Sequence, residues 1–341
     1  MKFAIIGCGI IAHSHAKALD VIEGEELYAV CYIIDEKADA FKEEYGAEKV
    51  YYTSAETVAD PEVDVVIVCV PSGTHGDICI EAAQAGKDIV CEKPLEITPG
   101  RIDEIIRVVE ETGVKMQCIF QRRLMPVAIA AREAIQAGKL GRICLAHADL
   151  KYYRDQPYYD SAGWRGTWEQ DGGGALMNQG VHGVDLILWM IGDELESLYG
   201  QAKTLARDIE VEDTAAVLIN LKGGALVTID AATTAYPGFS TAFAIHGEKG
   251  SIEFNDEGLV SWSFIDESDA PPRPEAGKAL GGSGSNVSIS ASGHVGLLTD
   301  MMEAIRDDRE PMIPPRDARD AVQVICSIYK ATEEKAIQYF N

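Results

Sequence analysis

The amino-acid sequence predicts an α/β fold, with an N-terminal doubly wound parallel sheet followed by an α+β domain whose open sheet is mostly antiparallel. Two observations support this prediction. Strand-like and helix-like segments alternate through the first third of the chain, as in βαβ units. After about residue 122 the pattern changes to strand-like runs joined by short connections. We therefore divide the chain into domains 1–120 and 121–341.

The first domain is predicted to alternate five strands with helices. The run Val63–Val70 is rich in β-branched residues, which is typical of a strand buried on both faces. The predicted strands are Phe3–Ile6, Glu26–Ile34, Val63–Val70, Asp88–Cys91 and Val114–Phe120. The first predicted helix extends from the glycine turn after the first strand to about Val21, and the other helices are Lys37–Tyr45, Asp77–Ala85 and Pro99–Thr112.

The second domain is predicted to combine helices with a larger number of strands. Its helices are Val127–Ala137, Leu176–Ile191, 293–307 and 317–336, and residues 266–292, rich in Asp, Pro, Gly and Ser, are predicted to form a long mobile loop. Its strands are Arg142–Tyr153, Glu196–Leu205, Thr214–Leu221, Ala225–Ala232, Ala242–His246, Ser251–Phe254 and Leu259–Phe264.

Composition excludes several classes of protein. The formal net charge of −25 repels phosphate backbones, so nucleic acid is not an expected partner. The eight cysteines are scattered without a CxxC pair or zinc-ligand spacing, so we expect no metal and a reducing compartment. No apolar run approaches the length of a membrane span. We therefore expect a cytoplasmic protein without a membrane partner.

The turn Gly7-Cys8-Gly9-Ile10-Ile11-Ala12 follows the first predicted strand and opens a helix. In this pattern the first glycine permits a tight turn, the second lets a pyrophosphate approach the backbone, and the alanine permits close packing of helix on strand. The helix N-terminus offers free N–H groups to phosphates. The turn therefore predicts a dinucleotide site formed by Gly7, Gly9, Ile10, Ile11 and Ala12, although a tight turn without a ligand is the alternative.

Asp35 directly follows the second predicted strand, where an acidic residue binds the adenosine ribose hydroxyls and favours NAD over NADP. The alternative is that Asp35 only caps the following helix. No arginine stands nearby for a 2′-phosphate, although Lys37 could serve. NAD is the predicted cofactor, with NADP as the alternative.

Lys93 lies in Cys91-Glu92-Lys93-Pro94, at the end of a strand on the sheet edge where dinucleotides bind. A lysine in such a crevice can exchange a proton with a substrate, and Pro94, in trans or cis form, can fix the turn. The alternative is a lysine that only reaches from a strand end to solvent.

A second polar group lies after the glycines 172–174. Asn178 and His182 are four residues apart, and Asp185 is three further on, so a single helix would place them on one face. Because the rest of this helix is apolar, these side chains need buried partners or a ligand. His182 could instead be a core histidine.

Aromatic residues and arginines are concentrated between residues 152 and 168. Such groups suit a sugar or polyol that carries a carboxylate or phosphate, although an ordinary packed loop is the alternative. The predicted substrate residues are Arg154, Tyr159, Trp164 and Arg165, together with Asp185.

Taken together, these motifs resemble the Gfo/Idh/MocA oxidoreductase family, which includes inositol dehydrogenase and glucose–fructose oxidoreductase. They are the glycine turn, Pro71-Ser72-Gly73-Thr74-His75, Glu92-Lys93-Pro94 and the glycine cluster with His182-x-x-Asp185. The resemblance implies a Rossmann domain, hydride transfer between a nicotinamide and a hydroxyl of a sugar or cyclitol, and a homodimer or homotetramer. It implies proton transfer by Lys93 and His182, and a cofactor lined by Pro71, Ser72, His75, Glu92 and Gln121.

This chain departs from many members of the family because Asn178 replaces an aspartate. Asparagine cannot accept a proton, so we expect His182 to be the base, Lys93 to polarise the hydroxyl and Asn178 to orient it. This variant looks most like members that oxidise the C3 hydroxyl of UDP-sugar acids. Two alternatives use the same cofactor site: a redox-assisted glycosidase or lyase that retains NAD, and a nicotinamide sensor without catalysis.

Overall fold

The computed structural model describes residues 1–274 and 291–340, and these residues form two compact units. The first unit contains Met1–Gln121 and the described residues that follow the gap as far as Asp320. The second contains the described residues from Arg122 to the gap and the chain from Ala321 onward. The predicted division into 1–120 and 121–341 did not include this return of the chain to the first unit.

The described chain alternates strands and helices as follows. The strands are β1 (Lys2–Ile6), β2 (Glu26–Cys31), β3 (Lys49–Tyr51), β4 (Val65–Val68), β5 (Asp88–Cys91), β6 (Met116–Cys118), β7 (Ile143–Lys151), β8 (Leu195–Lys203), β9 (Thr214–Leu221), β10 (Leu226–Ala232), β11 (Ala242–Gly247), β12 (Gly250–Asn255), β13 (Gly258–Phe264) and β14 (Gln338–Tyr339). The α-helices are α1 (Ile10–Asp20), α2 (Asp35–Tyr45), α3 (Ser54–Ala59), α4 (His75–Gln84), α5 (Pro99–Thr112), α6 (Pro126–Gln136), α7 (Gln156–Asp160), α8 (Val181–Ile191), α9 (Ala291–Arg306) and α10 (Pro315–Glu334).

The first unit is built on a parallel sheet with the strand order β3-β2-β1-β4-β5-β6. This is the order of doubly wound sheets that bind dinucleotides, and it confirms the predicted Rossmann architecture. Every residue of β4 is buried, as its β-branched sequence predicts. The sheet order reverses between β1 and β4, and this switch point defines the crevice for a ligand.

Two elements of the first unit were not predicted. Strand β3 has only three residues, all half-buried, so it shows no alternation. Helix α3 does carry a signal: the Thr53 side chain accepts a hydrogen bond from the backbone N–H of Glu56, and the Glu56 carboxylate accepts one from the Thr53 N–H. This Thr-x-x-Glu capping box is readable in the sequence and predicts a helix start.

The second unit is built on an eight-stranded sheet with the order β13-β12-β11-β7-β10-β9-β8-β14. Neighbouring strands are antiparallel except β7 and β10, which run parallel, so the predicted mostly antiparallel sheet is confirmed. Buried and more exposed residues alternate along β9 and β10. One face of the sheet therefore covers the core of this unit and the other is left open.

The predicted helix Leu176–Ile191 is helical throughout, but its first five residues are not α-helical. Residues Ala175–Gly180 form a π-helix, and only Val181–Ile191 is α-helical. The N–H of Gln179 donates to the Gly174 carbonyl five residues back, at 3.1 Å. The wider turn changes which side chains align, so the argument from four-residue spacing does not place Asn178 and His182 on one face.

Most of the predicted loop 266–292 lies outside the described residues. Within its described part, Glu267–Asp269 forms a short 3₁₀ turn. Among the described helices, none combines the length and the apolar character needed to cross a bilayer.

Candidate functional site

The glycine turn joins β1 to α1 and holds its two glycines in different environments. Gly7 has a φ of 101°, and a Cβ at this position would lie 2.4 Å from the carbonyl oxygen of Cys69. Gly9 is the N-cap of α1 and forms no side-chain hydrogen bond. Apart from Gly9 and its chain neighbours, no atom of the described residues lies within 4 Å of where a Cβ on Gly9 would stand. Ala12 is fully buried. The turn is therefore closed on its protein side and open at Gly9, where a pyrophosphate could meet the free N–H groups of α1.

Asp35 is the first residue of α2 and is exposed, whereas Ile34 occupies the cap position. The alternative that Asp35 is the helix cap is therefore wrong. Asp35 lies shortly after the C-terminal end of β2. A residue that binds the adenosine ribose is expected at this position.

The predicted cofactor residues after β4 are held by the backbone of the same unit. Ser72 is buried, and His75 begins α4 with its ring almost fully buried. The two ring nitrogens of His75 lie 2.8 Å from the Pro94 carbonyl oxygen and 2.9 Å from that of Val70. Burial lowers the pKa of His75, although both hydrogen bonds oppose this shift. His75 thus links the loop that contains Pro71 to the turn that carries Lys93.

Lys93 follows β5 and is half-buried, and the peptide bond to Pro94 is cis. Its backbone N–H donates to Glu92 Oε2 at 3.2 Å. Glu92 is buried, and burial alone would raise its pKa. Hydrogen bonds from His15 and His294 outweigh burial and hold the pKa of Glu92 well below its usual range. Glu92 is therefore an anion next to Lys93. Gln121, the last residue of the first part of this unit, is also buried.

In the second unit, Gly173 and Gly174 allow Tyr329 and Glu212 to approach the start of the π-helix closely. The Glu212 carboxylate accepts hydrogen bonds from the N–H groups of Gly174 (3.0 Å) and Leu176 (2.8 Å) and from the Tyr329 hydroxyl (3.0 Å). A Cβ on Gly173 would lie 2.0 Å from the Tyr329 hydroxyl oxygen, and one on Gly174 would lie 2.1 Å from the Glu212 carbonyl oxygen. Burial raises the pKa of Glu212 to about 7.

Asn178 lies on this π-helix in a network of polar side chains. Its amide nitrogen donates to the buried carboxylate of Asp171, whose other oxygen accepts from the Gly166 N–H at 2.8 Å. The Gln179 amide nitrogen donates to Asn178 Oδ1 at 2.7 Å and to the Tyr158 hydroxyl at 3.0 Å. These hydrogen bonds fix the orientation of the Asn178 amide.

His182 is half-buried in the first turn of α8. Asp185, three residues further on, is buried and forms a two-pronged ion pair with Arg123, with distances of 2.9 Å and 2.6 Å. Such a buried pair anchors α8 within its unit. Arg123 thus holds the Asp185 carboxylate in place, and the contact of Asp185 with substrate stays a prediction.

In the aromatic and arginine segment, the predicted substrate residues Tyr159 and Arg165 lie in different environments. The Tyr159 hydroxyl donates to Thr233 Oγ1 at 2.9 Å, and burial raises the pKa of Tyr159 to about 12, so this predicted substrate residue is part of the packing. The Arg165 guanidinium lies 4.3 Å from the Tyr158 ring centre and 4.5 Å from that of Trp164. Arg154 is buried and donates to the Tyr153 carbonyl oxygen at 2.7 Å. Arg165 is thus the better candidate for an anionic substrate group.

Comparison with known proteins gives two family matches. Residues 1–120 match an oxidoreductase family with an NAD-binding Rossmann fold, and residues 128–253 match the GFO/IDH/MocA C-terminal domain. The chain is 29% identical over 257 residues to the myo-inositol 2-dehydrogenase of Thermotoga maritima, which covers 74% of each chain. It is also 29% identical over 257 residues to the scyllo-inositol 2-dehydrogenase (NAD(+)) of Bacillus subtilis, covering 74% of this chain and 73% of that one.

A solved structure is similar over nearly its full length. The WlbA dehydrogenase from Bordetella pertussis, in complex with NADH and UDP-GlcNAcA, is 29% identical, with a TM-score of 0.88 and coverage of 100% of this chain and 98% of that one. The open cradle at Gly9 and the exposed carboxylate of Asp35 fit the same cofactor. The family matches span most of the sequence, and the chain belongs to the GFO/IDH/MocA family of NAD-dependent oxidoreductases.

Proposed function

We propose that the protein oxidises the C3 hydroxyl of a UDP-sugar acid with NAD. The observation that carries this proposal is the fixed amide of Asn178, held between Asp171 and Gln179. The family resemblance implies an aspartate at this position in many members. The similarity to a dehydrogenase that binds UDP-GlcNAcA supports the same substrate class. The stacked guanidinium of Arg165 supplies a cation for the carboxylate or a phosphate of such a substrate.

In this proposal each candidate catalytic residue has one task. His182 accepts the hydroxyl proton of the substrate, and the Lys93 ammonium donates a hydrogen bond to the oxygen as negative charge develops on it. The Asn178 amide orients the hydroxyl and takes no proton. Bound NAD supplies the hydride acceptor. The predicted roles of Pro71, Ser72, His75, Glu92 and Gln121 around the cofactor belong to the same proposal.

The test is a substrate panel with NAD, followed through the absorbance of the reduced nicotinamide. We expect UDP-GlcNAcA to be oxidised with a kcat/KM at least a hundredfold above that of UDP-GlcNAc, which lacks the carboxylate, and that of myo-inositol. The Arg165→Met variant should lose most of this preference. Turnover of myo-inositol without turnover of any UDP-sugar acid would instead assign the protein to the inositol dehydrogenases, the second candidate function, which its similarity to these enzymes favours.

The redox-assisted glycosidase or lyase and the nicotinamide sensor use the same cofactor site, but the comparisons favour a dehydrogenase over both. Net formation of reduced cofactor in the panel separates a dehydrogenase from both alternatives.

We also propose a homodimer or homotetramer in the cytoplasm. The open face of the large sheet carries exposed apolar side chains on neighbouring strands, and apolar area of this kind marks an interaction surface. Tyr199 pairs across the strands with Leu218, and Leu226 pairs with Leu145. All eight cysteines are free thiols, which suits a reducing compartment.

A further inference from the structure

A buried cluster of His15, Glu92 and His294 lies within the first unit, and none of the three is needed for the proton transfer proposed above. His15 comes from α1, Glu92 from the end of β5 and His294 from α9. The two histidines are fully buried and Glu92 is nearly so. Glu92 Oε1 lies 2.8 Å from His15 Nε2 and 3.1 Å from His294 Nε2, and the rings meet edge to face.

Two histidines and a glutamate can bind a metal ion, or they can form hydrogen bonds with one another. The distances between their ligand atoms distinguish these two possibilities. Ligands of a tetrahedral zinc ion, bonded at about 2.0–2.2 Å, stand roughly 3.3 Å or more apart. The two N···O distances are shorter than this and fall in the ordinary range of hydrogen bonds. One carboxylate oxygen therefore accepts two N–H groups, and the geometry favours a proton on each Nε2 atom.

The protons on the histidines determine the charge of the cluster. Nδ1 of His15 and Nδ1 of His294 are buried and have no hydrogen-bond partner among the described residues. A second proton on either ring would leave a buried cationic N–H without an acceptor, which is unfavourable. Burial also lowers the pKa of His15, although the Glu92 hydrogen bond opposes this. The missing acceptors therefore favour a neutral ring at both positions, and the ionised Glu92 then gives the cluster one net negative charge.

The position of the cluster relates this charge to the cofactor. A dinucleotide lies across the carboxyl edge of the sheet, with its pyrophosphate at the switch point beside α1. Asp35 after β2 marks the adenosine half, so the nicotinamide half lies over β4 and β5. Glu92 directly follows β5 and precedes Lys93.

We propose that the negative charge of the buried His15–Glu92–His294 cluster makes the protein bind NAD⁺ more tightly, relative to NADH, than it otherwise would. The nicotinamide ring is positively charged only in the oxidised cofactor, so a fixed anion on its side of the sheet stabilises NAD⁺ selectively. This inference rests on NAD binding and does not depend on which sugar is the substrate.

The test compares dissociation constants for NAD⁺ and NADH in wild type and Glu92→Gln, measured by calorimetry without substrate. The variant keeps the shape of the side chain and removes the charge, so Kd(NADH)/Kd(NAD⁺) should fall by about fivefold. The matched control is Glu62→Gln, an exposed carboxylate paired with Lys2 at the start of β1, which should leave the ratio unchanged. A purely structural role would weaken both cofactors by the same factor, and that result would overturn the proposal.

A second measurement uses the unaltered protein and so does not depend on the folding of the variant. In ¹⁵N-histidine NMR at neutral pH, His15 and His294 should both show the neutral form with the proton on Nε2; His15→Gln and His294→Gln would assign the signals. An imidazolium at either position would cancel the charge and refute the proposal. One equivalent of zinc per chain in elemental analysis would also refute it, because the cluster would then be a metal site.

Discussion

Gly7 and Gly9 lie two residues apart in one turn but should respond differently to the same substitution. Gly7→Ala places a Cβ 2.4 Å from the Cys69 carbonyl oxygen at a φ of 101°, so we expect a loss of about 2–4 kcal/mol of unfolding free energy. Gly9→Ala has room for its methyl group and should fold normally, but the methyl should weaken NADH binding at least tenfold. Thermal unfolding and NADH titration measure both effects; unchanged NADH affinity in Gly9→Ala would contradict the assignment of the pyrophosphate site.

The proposed mechanism assigns the proton chemistry of the first unit to Lys93. We expect Lys93→Met to lower kcat by about 10²–10⁴ while NADH affinity changes little, because the lysine stabilises charge that develops during the reaction. Lys93→Arg, which keeps the charge but not the position of the ammonium, is the control. Steady-state kinetics with the best substrate of the panel decides the question, and full activity in Lys93→Met would remove the residue from the mechanism.

At single positions, sequence reasoning predicted local backbone geometry, while the roles of the site residues stay predictions. Gly7 was predicted because a strand, a turn and a helix follow one another locally. Glu212 and Tyr329 were missed because they are distant in sequence from the glycines that they contact. Tyr159 and Asp185 were chosen for their residue type, but their hydroxyl and carboxylate groups are used inside the protein.

Among the elements, the π-helix Ala175–Gly180 starts at the buried carboxylate of Glu212, which accepts hydrogen bonds from two backbone N–H groups there. Because burial raises its pKa to about 7, from an ordinary value near 4.5, the group binds its proton more tightly in the folded state. Its contribution to stability is therefore complete below pH 4.5 and is lost as the pH rises through about 7. Between pH 5 and pH 8 we expect wild type to lose about 2 kcal/mol of unfolding free energy relative to Glu212→Gln, which does not titrate.

Urea unfolding of the two proteins at both pH values measures this difference. The comparison cancels the titration of all other groups, which both proteins share. A constant difference between the two pH values would show that Glu212 does not titrate in this range.

Sequence pattern predicted most helices and strands to within a few residues, including β9 and α5 with their observed ends. It did not predict the π-helix, because the segment has helical spacing and the Glu212 carboxylate that accepts hydrogen bonds at its start is distant in sequence. It also did not predict the parallel pairing of β7 with β10, since register between strands that are distant in sequence depends on the packing of the whole sheet.

At the scale of the whole molecule, the open face of the large sheet predicts association. Leu218→Glu places a charge among the exposed side chains of β8 and β9, so an assembly through this face should dissociate by at least one step. Light scattering after size exclusion measures the mass. Val21→Glu, an exposed apolar position in the first unit, is the matched control and should keep the wild-type mass. An unchanged mass for Leu218→Glu would place the interface elsewhere.

The return of the chain to its first unit has a consequence for synthesis on the ribosome. Helix α9 packs on α1, and its His294 completes the cluster around Glu92, yet it lies about 170 residues beyond Gln121 in the chain. At a translation rate of roughly 5–20 residues per second, the nascent nucleotide-binding unit therefore waits on the order of ten seconds or more for its last helix. During that time the surface of α1 that α9 later covers is exposed. Chaperone binding or misfolding of this unit is therefore most favoured between the synthesis of Gln121 and the synthesis of α9.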